Sequence, residues 1–248
     1  MSKTVKAAAI AAFVILAHAS PAGAAELEVL CTTAMRTTML DMGARFERAT
    51  GHKLVMSIAP SAQLVTRIQN GEAADLVISF APGIDELIKN GKVVGSRSDL
   101  ARSLIGLSVR AGAPKPDISS PDALKRALLA AKAVAYSSGG ISGNHFVSVL
   151  EKLGIADKVK AKSKLGAPAA AFVANGDADI AVQQIPELMA VAGAELVGPL
   201  PRELEHVTQF SAGLLASAKE PDAAEALVKF LMTEEAAAVI TAKGLTPG

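Results

Sequence analysis

Small and hydroxyl-bearing residues follow three short apolar segments of the chain, and each group precedes a stretch with helical periodicity. The three groups are Thr32-Thr33-Ala34, Pro60-Ser61-Ala62 and Ser137-Ser138-Gly139-Gly140-Ile141-Ser142-Gly143. The start of a helix carries free backbone N–H groups and about half a positive charge, which favours anions. Hydroxyls add neutral donors, and Gly and Ala let an anion approach the backbone. One such loop predicts only a helix cap, but three at equivalent positions predict a site for a small anion.

Residues suited to other chemistry are sparse. None of the histidines that follow residue 25, namely His52, His145 and His206, has the spacing of a metal-binding motif. The string Gly140-Ile141-Ser142-Gly143 lacks the glycine spacing of a nucleophile elbow. The carboxylates are scattered along helices, with no pair of the kind that glycoside hydrolysis needs. Asp75 and Asp179 each begin a predicted strand, where we expect a solvated edge. The sequence therefore predicts no catalytic residue, no metal and no cofactor.

Alternating strand and helix patterns position the three loops. Apolar runs at residues 27–31, 53–58 and 75–80 predict buried strands, and the helical spacing of Met35, Met39, Met42 and Phe46 predicts a helix after the first. Pro82-Gly83 is expected to stop the third strand. Repeated strand–helix units predict a parallel sheet with helices on both faces. Further strands are predicted at 103–110, 133–136, 179–183 and 207–217, and Ala-rich helices at 222–232 and 234–243.

Two proline-rich links suggest how the chain is divided. They are Ala113-Pro114-Lys115-Pro116 and Gly198-Pro199-Leu200-Pro201. The segment between them has its own strand–helix alternation, so we expect two α/β lobes with the second inserted into the first. Lobe I is predicted to comprise residues 26–108 and 207–248, and lobe II residues 109–206. Ligands of open α/β sheets bind beyond the carboxyl ends of the strands, which places the site in the cleft between the lobes.

Composition excludes several classes of protein. The 248 residues are 50% apolar, and 25 Lys and Arg face 24 Asp and Glu. This balance argues against disorder and against binding to nucleic acid. The single cysteine, Cys31, excludes an intrachain disulfide and lies in an apolar strand, so we expect a buried thiol.

The first 25 residues have the features of a secretory signal peptide. Lys3 and Lys6 precede an apolar run at residues 7–17, and Ala22-Gly23-Ala24 matches a cleavage site. No later apolar run approaches the roughly 20 residues of a membrane span. Removing residues 1–25 changes the formal net charge from +1 to −1, because two lysines and no acidic residue are lost. The sequence predicts an exported chain without a membrane span, which disfavours a DNA-binding regulator.

Residues 26–248 resemble the type II periplasmic substrate-binding proteins of ABC importers. The resemblance rests on the order and spacing of several short motifs, and it is strongest to the molybdate-binding subfamily. These motifs are Thr32-Thr33-Ala34-Met35, Pro60-Ser61-Ala62-Gln63-Leu64, the run from Asn70-Gly71 to Ile78-Ser79, Leu150-Glu151-Lys152-Leu153-Gly154 and Asn175-Gly176-Asp177-Ala178-Asp179-Ile180. The resemblance implies a periplasmic two-lobed α/β protein, a monomer and not an enzyme, that closes on a small anion. It also implies a partner, the ABC permease of the inner membrane.

The resemblance also implies which residues bind the ligand. Ser61 matches the serine of the second loop, and Ser142 and Gly166 fall at positions that offer a backbone N–H. Ala34 stands where a serine is expected, between Thr33 and Met35, and Gln184 stands where the subfamily has a tyrosine. The predicted site therefore comprises Thr32, Thr33, Ala34, Ser61, Ser142, Gly166 and Gln184.

The ligand stays open at this point. A molybdate- or tungstate-like oxyanion is favoured by the resemblance. Because Ala34 and Gln184 both remove a hydroxyl, a small organic carboxylate is an alternative. An enzyme on the same fold is a further alternative.

Overall fold

The computed structural model describes residues 23–248. The predicted signal peptide falls almost entirely on residues 1–22, which lie outside the described residues. In chain order the strands are β1 (Glu26–Thr32), β2 (Lys53–Ala59), β3 (Leu76–Phe80), β4 (Val93–Arg110), β5 (Val134–Tyr136), β6 (Ser163–Leu165), β7 (Ile180–Gln184), β8 (Ala194–Pro199), β9 (Val207–Leu215) and β10 (Thr246–Pro247).

The helices alternate with these strands over most of the chain. They are α1 (Arg36–Thr50), α2 (Ser61–Gln69), α3 (Ala81–Lys89), α4 (Pro121–Ala130), α5 (Gly140–Lys152), α6 (Ala156–Lys160), α7 (Ala170–Asn175), α8 (Ile185–Met189), α9 (Pro221–Leu231) and α10 (Glu234–Ala242). Short 3-10 turns lie at Thr33–Met35 and Arg202–Leu204. In residues 23–248, no helix combines the length and apolar character that a membrane crossing requires.

The strands lie side by side in the order β2-β1-β3-β9-β4-β7-β5-β6, with β8 and β10 paired to β4. Strand β1 is parallel to β2 and β3, and β5 is parallel to β6 and β7. The long strands β4 and β9 run antiparallel to their neighbours. The predicted α/β class, a sheet flanked by helices, is confirmed, but the sheet is mixed rather than mostly parallel, because within residues 23–248 four of its strand pairs are parallel and five are antiparallel.

Strand β4 carries the chain from one half of the sheet to the other. Leu104 of β4 pairs with Val207 of β9, and the next residue, Ile105, pairs with Gln184 of β7. We call the part built from β1, β2, β3, β9, β10 and residues 93–104 the first half, and the remainder the second half. The division into two lobes stays a proposal. If the halves are the lobes, the chain first passes from one to the other after Leu104, not after residue 108 as the sequence predicts.

Each half has apolar clusters on both faces of its sheet. Met35, Met39, Met42 and Phe46 are fully buried on the face covered by α1, α9 and α10, as their spacing predicts. Helices α2 and α3 cover the other face of the first half. In the second half, α4 and α5 cover one face, and α7 and α8 cover the other.

Three elements differ from the sequence prediction. Pro82 and Gly83 were expected only to stop a strand, but helix α3 begins at Ala81, because proline is tolerated in a first helical turn. Helix α8 has five residues, too few for a helical period to show. Gly198 and Pro199, predicted to lie in a rigid link, instead pair with β4 as the end of β8.

Asp75 corrects a further expectation, that it lies at a solvated strand edge. It is 3% exposed. Its carboxylate accepts backbone N–H bonds from Glu28 (2.8 Å), Lys219 (2.7 Å) and Glu220 (3.0 Å). The side chain therefore ties β1 to the start of α9.

Candidate functional site

A cavity of about 180 Å³ lies between the two halves, where the carboxyl ends of β1, β2, β5, β6 and β7 meet. The structure brings all seven residues predicted for the ligand site to its wall: Thr32, Thr33, Ala34, Ser61, Ser142, Gly166 and Gln184. The other lining residues are Pro60, Ala62, Ser137, Ser138, Gly139, Gly140, Ile141, Ala167, Gln183, Glu187 and Phe210. That the seven bind a ligand stays a prediction.

The wall from the first half carries a pair of hydroxyls. Thr32 ends β1 and Ser61 begins α2, and their hydroxyl oxygens lie 2.7 Å apart in a buried hydrogen bond. One hydroxyl donates to the other, so the pair keeps one further O–H group that can donate a hydrogen bond to a ligand. Pro60, the residue before α2, provides no side-chain cap, so first-turn N–H groups stay available.

The wall from the second half is built on glycine. Gly139 and Gly140 have φ angles of 75° and 69°, which side-chain-bearing residues rarely adopt, and α5 begins at Gly140. At Gly143 a Cβ would lie 2.1 Å from the Ser137 carbonyl oxygen, so only glycine allows the loop to fold back this closely. Ser142 is buried in the first turn of α5, which has no side-chain cap. By contrast, α4 and α10 are capped by Ser120 and Thr233.

Two predicted residues present different groups from those the resemblance implied. The backbone N–H of Gly166 donates to the Tyr136 carbonyl oxygen at 3.1 Å, so it is not a free donor for a ligand. The Gln184 amide donates its Nε2–H to the Thr208 hydroxyl at 2.9 Å. Its Oε1 is buried and has no hydrogen-bond partner among the described residues. Gln184 therefore offers an acceptor where the resemblance implied a hydroxyl.

Glu187 is the lining residue that the sequence reasoning missed. It lies in the first turn of α8, where burial raises the pKa of its carboxyl. The Thr33 and Gln183 side chains and the Gln184 backbone N–H act on it as hydrogen-bond partners and oppose that rise in pKa. Thr33 and Glu187 line the same cavity from the two halves, and the turn at Thr33–Met35 packs against α8. The available signal was an acidic residue three positions after a strand end, the spacing of a capping box.

The described residues that line the cavity include no cationic side chain. Among residues 23–248, its lining contains no Lys, Arg or His, and Glu187 is the ionisable side chain there. The pair His145 and His206, with ring centroids 5.0 Å apart, lies outside this lining. Residues 23–248 contain no group of three His, Cys, Asp or Glu placed to hold a metal. The arrangement suits the binding of a small anion by neutral donors.

Comparisons with known proteins agree with this architecture. A family model described as bacterial extracellular solute-binding protein matches residues 27–246. Aconitate isomerase from Pseudomonas sp. is 36% identical over 230 residues, covering 89% of this chain and 87% of that protein. The molybdate-binding protein ModA of Azotobacter vinelandii is 30% identical over 235 residues, covering 91% and 92%. The solved structure of the A. vinelandii periplasmic molybdate-binding protein gives a TM-score of 0.74 at 23% identity, covering 89% of this chain and 98% of that one.

Proposed function

The chain belongs to the bacterial extracellular solute-binding proteins, and on that premise we propose that it is the periplasmic receptor of an ABC importer. It captures a small anion in the cavity between the two halves of its sheet and delivers it to a membrane permease. The supporting observation is the donor set: the Thr32–Ser61 hydroxyl pair and the uncapped first turns of α2 and α5 converge on a cavity without a cationic side chain.

Relatives of this chain support two classes of anion. One is named for molybdate binding, which supports a molybdate- or tungstate-like oxyanion. Another is named for isomerising aconitate, a small organic polycarboxylate. Thr32, Ser61 and the first helical turns supply donors that suit either class.

The experiment is a binding screen of residues 26–248. Thermal unfolding and titration calorimetry would be run with molybdate, tungstate, sulfate, cis-aconitate and trans-aconitate. A bound anion should raise the free energy of unfolding by about 2.7 kcal/mol at a hundredfold excess over Kd. We expect saturable one-to-one binding of one class. The absence of any stabilisation across the panel would contradict the receptor assignment.

A second candidate function rests on Glu187. A carboxyl of raised pKa inside a ligand cavity is suited to exchange a proton with a bound acid, which a proton-moving isomerase requires. Incubation with trans-aconitate, followed by proton NMR, tests this candidate. Formation of cis-aconitate by the wild type and its loss in Glu187→Gln would favour an enzyme. Binding of trans-aconitate without conversion would favour the receptor.

A further inference from the structure

We propose that Glu187 couples ligand capture to one proton, so that the site takes its anion together with a proton shared between the Glu187 carboxyl and the ligand. The inference rests on the proposed function, because it assigns a role to a side chain within the same cavity. It extends that function by making affinity depend on pH.

The position of Glu187 carries the argument. It is the ionisable side chain of the cavity lining, and the lining contains no Lys, Arg or His to balance a second negative charge. An ionised Glu187 and a bound anion would therefore repel each other within a cavity of about 180 Å³. Protonation of the carboxyl removes this repulsion and turns one acceptor oxygen into a donor for the anion.

Burial of Glu187 already makes its carboxyl easier to protonate than a solvated one. Burial raises the pKa of its carboxyl above the ordinary value, although Thr33, Gln183 and the Gln184 N–H stabilise the ionised form. An anion bound in the cavity would raise this pKa further, because like charges disfavour ionisation. Capture of the anion is then accompanied by proton uptake over the pH range between the two pKa values.

No charged group on a neighbouring element replaces this proton. Helix α8 packs against β4, β7, β8 and the 3-10 turn at Thr33–Met35, and Gly244 lies against its Ile185 and Met189 side chains. Lys243, the residue before Gly244, pairs with Asp41. The turn and β7 contain no charged residue. The charged residues of β4 and β8 are Arg97, Asp99, Arg102, Arg110 and Glu195. None of these five acts on the Glu187 carboxyl, whose polar neighbours are uncharged.

A second acceptor lies in the residue that precedes α8. The Oε1 of Gln184 is buried and has no donor among the described residues, because the amide Nε2 is bonded to Thr208. This part of the wall therefore offers oxygen acceptors without a matching proton. A proton brought by the ligand or taken up on binding is the group that it lacks.

A purely structural role for Glu187 predicts a different behaviour. Its position in the first turn of α8 allows the carboxylate to accept from the Gln184 N–H as a helix cap. Such a cap would influence folding and leave the proton balance of ligand binding unchanged. Glutamine can form the same cap without a titratable group, so Glu187→Gln separates the two roles.

The test is calorimetric titration with trans-aconitate and with molybdate between pH 6 and pH 9, in pairs of buffers that differ in ionisation enthalpy. For the wild type we expect uptake of up to one proton per bound anion over part of this range, where the affinity should fall with rising pH by up to tenfold per pH unit. Glu187→Gln should bind the same anion with less proton uptake and a flatter pH profile. Comparison of the two proteins in one buffer cancels the titration of the ligand itself.

The controls are Glu187→Asp, which keeps a carboxyl, and Glu195→Gln, which removes an exposed one paired with Lys115. Both should keep the proton uptake of the wild type. Saturable wild-type binding with the same proton uptake and pH profile as Glu187→Gln would overturn the inference and leave the receptor assignment intact. Failure of the wild type to bind any anion of the panel at any pH would overturn both.

Discussion

Neutral hydroxyl groups provide the donors of this cavity where many anion sites use arginine or lysine. The Thr32 and Ser61 hydroxyl oxygens are 2.7 Å apart and buried. Thr32 is the last residue of β1, Ser61 is the first residue of α2, and both line the cavity. Replacing either hydroxyl removes a donor that no neighbouring cation can replace.

Ser61→Ala tests this donor directly. We expect the affinity for the anion that binds in the screen to fall by about 1–3 kcal/mol, because a hydrogen bond to a charged ligand is lost. Titration calorimetry measures the change. The matched control is Ser148→Ala, an exposed serine of α5 whose hydroxyl donates to the Asn144 carbonyl outside the cavity. Equal affinities for Ser61→Ala and the wild type would remove Ser61 from the site.

Glu187 also gives a stability prediction for the ligand-free protein. Burial raises its pKa above the ordinary value of 4.5, so the folded protein resists ionisation and loses stability as pH rises above about that value. Glu187→Gln should therefore match the wild type at pH 4 and become the more stable of the two at neutral pH. Urea unfolding across this range measures the difference.

Glu195→Gln should not show this gain, because Lys115 and the Gly112 N–H lower the pKa of the exposed Glu195 carboxyl. A pH-independent difference between Glu187→Gln and the wild type would contradict the assigned pKa direction.

Elements of the first half are held in place by a buried carboxylate as well as by apolar packing. Asp75 precedes β3 and bonds the backbone of β1 on one side and the N-terminal approach to α9 on the other. Because β1 and β3 are adjacent parallel strands, this side chain also fixes the strand whose end carries Thr32.

Asp75→Asn tests that role. An amide keeps one acceptor oxygen and loses the charge, so we expect the free energy of unfolding to fall by about 1.5–3 kcal/mol. Chemical denaturation measures the loss. Asp179→Asn is the control, because Asp179 also precedes a strand but is exposed and accepts from the Lys132 N–H alone. Similar losses in the two variants would show that burial of Asp75 is unimportant.

The whole molecule joins its two halves through β4 and through the segment before β9, and the cavity lies between them. Both halves contribute donors: the first provides Thr32 and Ser61, and the second provides the start of α5. An anion held there would contact both halves at once.

The salt dependence of binding reports on this arrangement. Because the described part of the chain places no Lys or Arg in the cavity lining, we expect affinity to fall only modestly as ionic strength rises from about 0.01 M to 0.15 M. Titrations at a series of salt concentrations measure the slope of log K against log salt. A slope as steep as that of proteins that neutralise several phosphates would show that cationic residues dominate binding.

Local patterns in the sequence were sufficient for the class of fold and for the position of the cavity. The spacing of Met35, Met39, Met42 and Phe46 predicted a helix with one buried face, because periodicity reports which side chains meet the core. The hydroxyl-rich and glycine-rich loops predicted where the cavity lies, because the carboxyl ends of parallel strands share one edge of a sheet.

Only the tertiary structure decided which polar groups are available within that cavity. Gly166 donates to Tyr136, Gln184 donates to Thr208, and burial raises the pKa of the Glu187 carboxyl. The change of partner inside β4 and the burial of Asp75 likewise depend on segments distant in the chain. A sequence pattern records the donors and acceptors that a residue carries. Whether a group is free, bonded or protonated depends on what packs against it, and those neighbours are brought together only by folding.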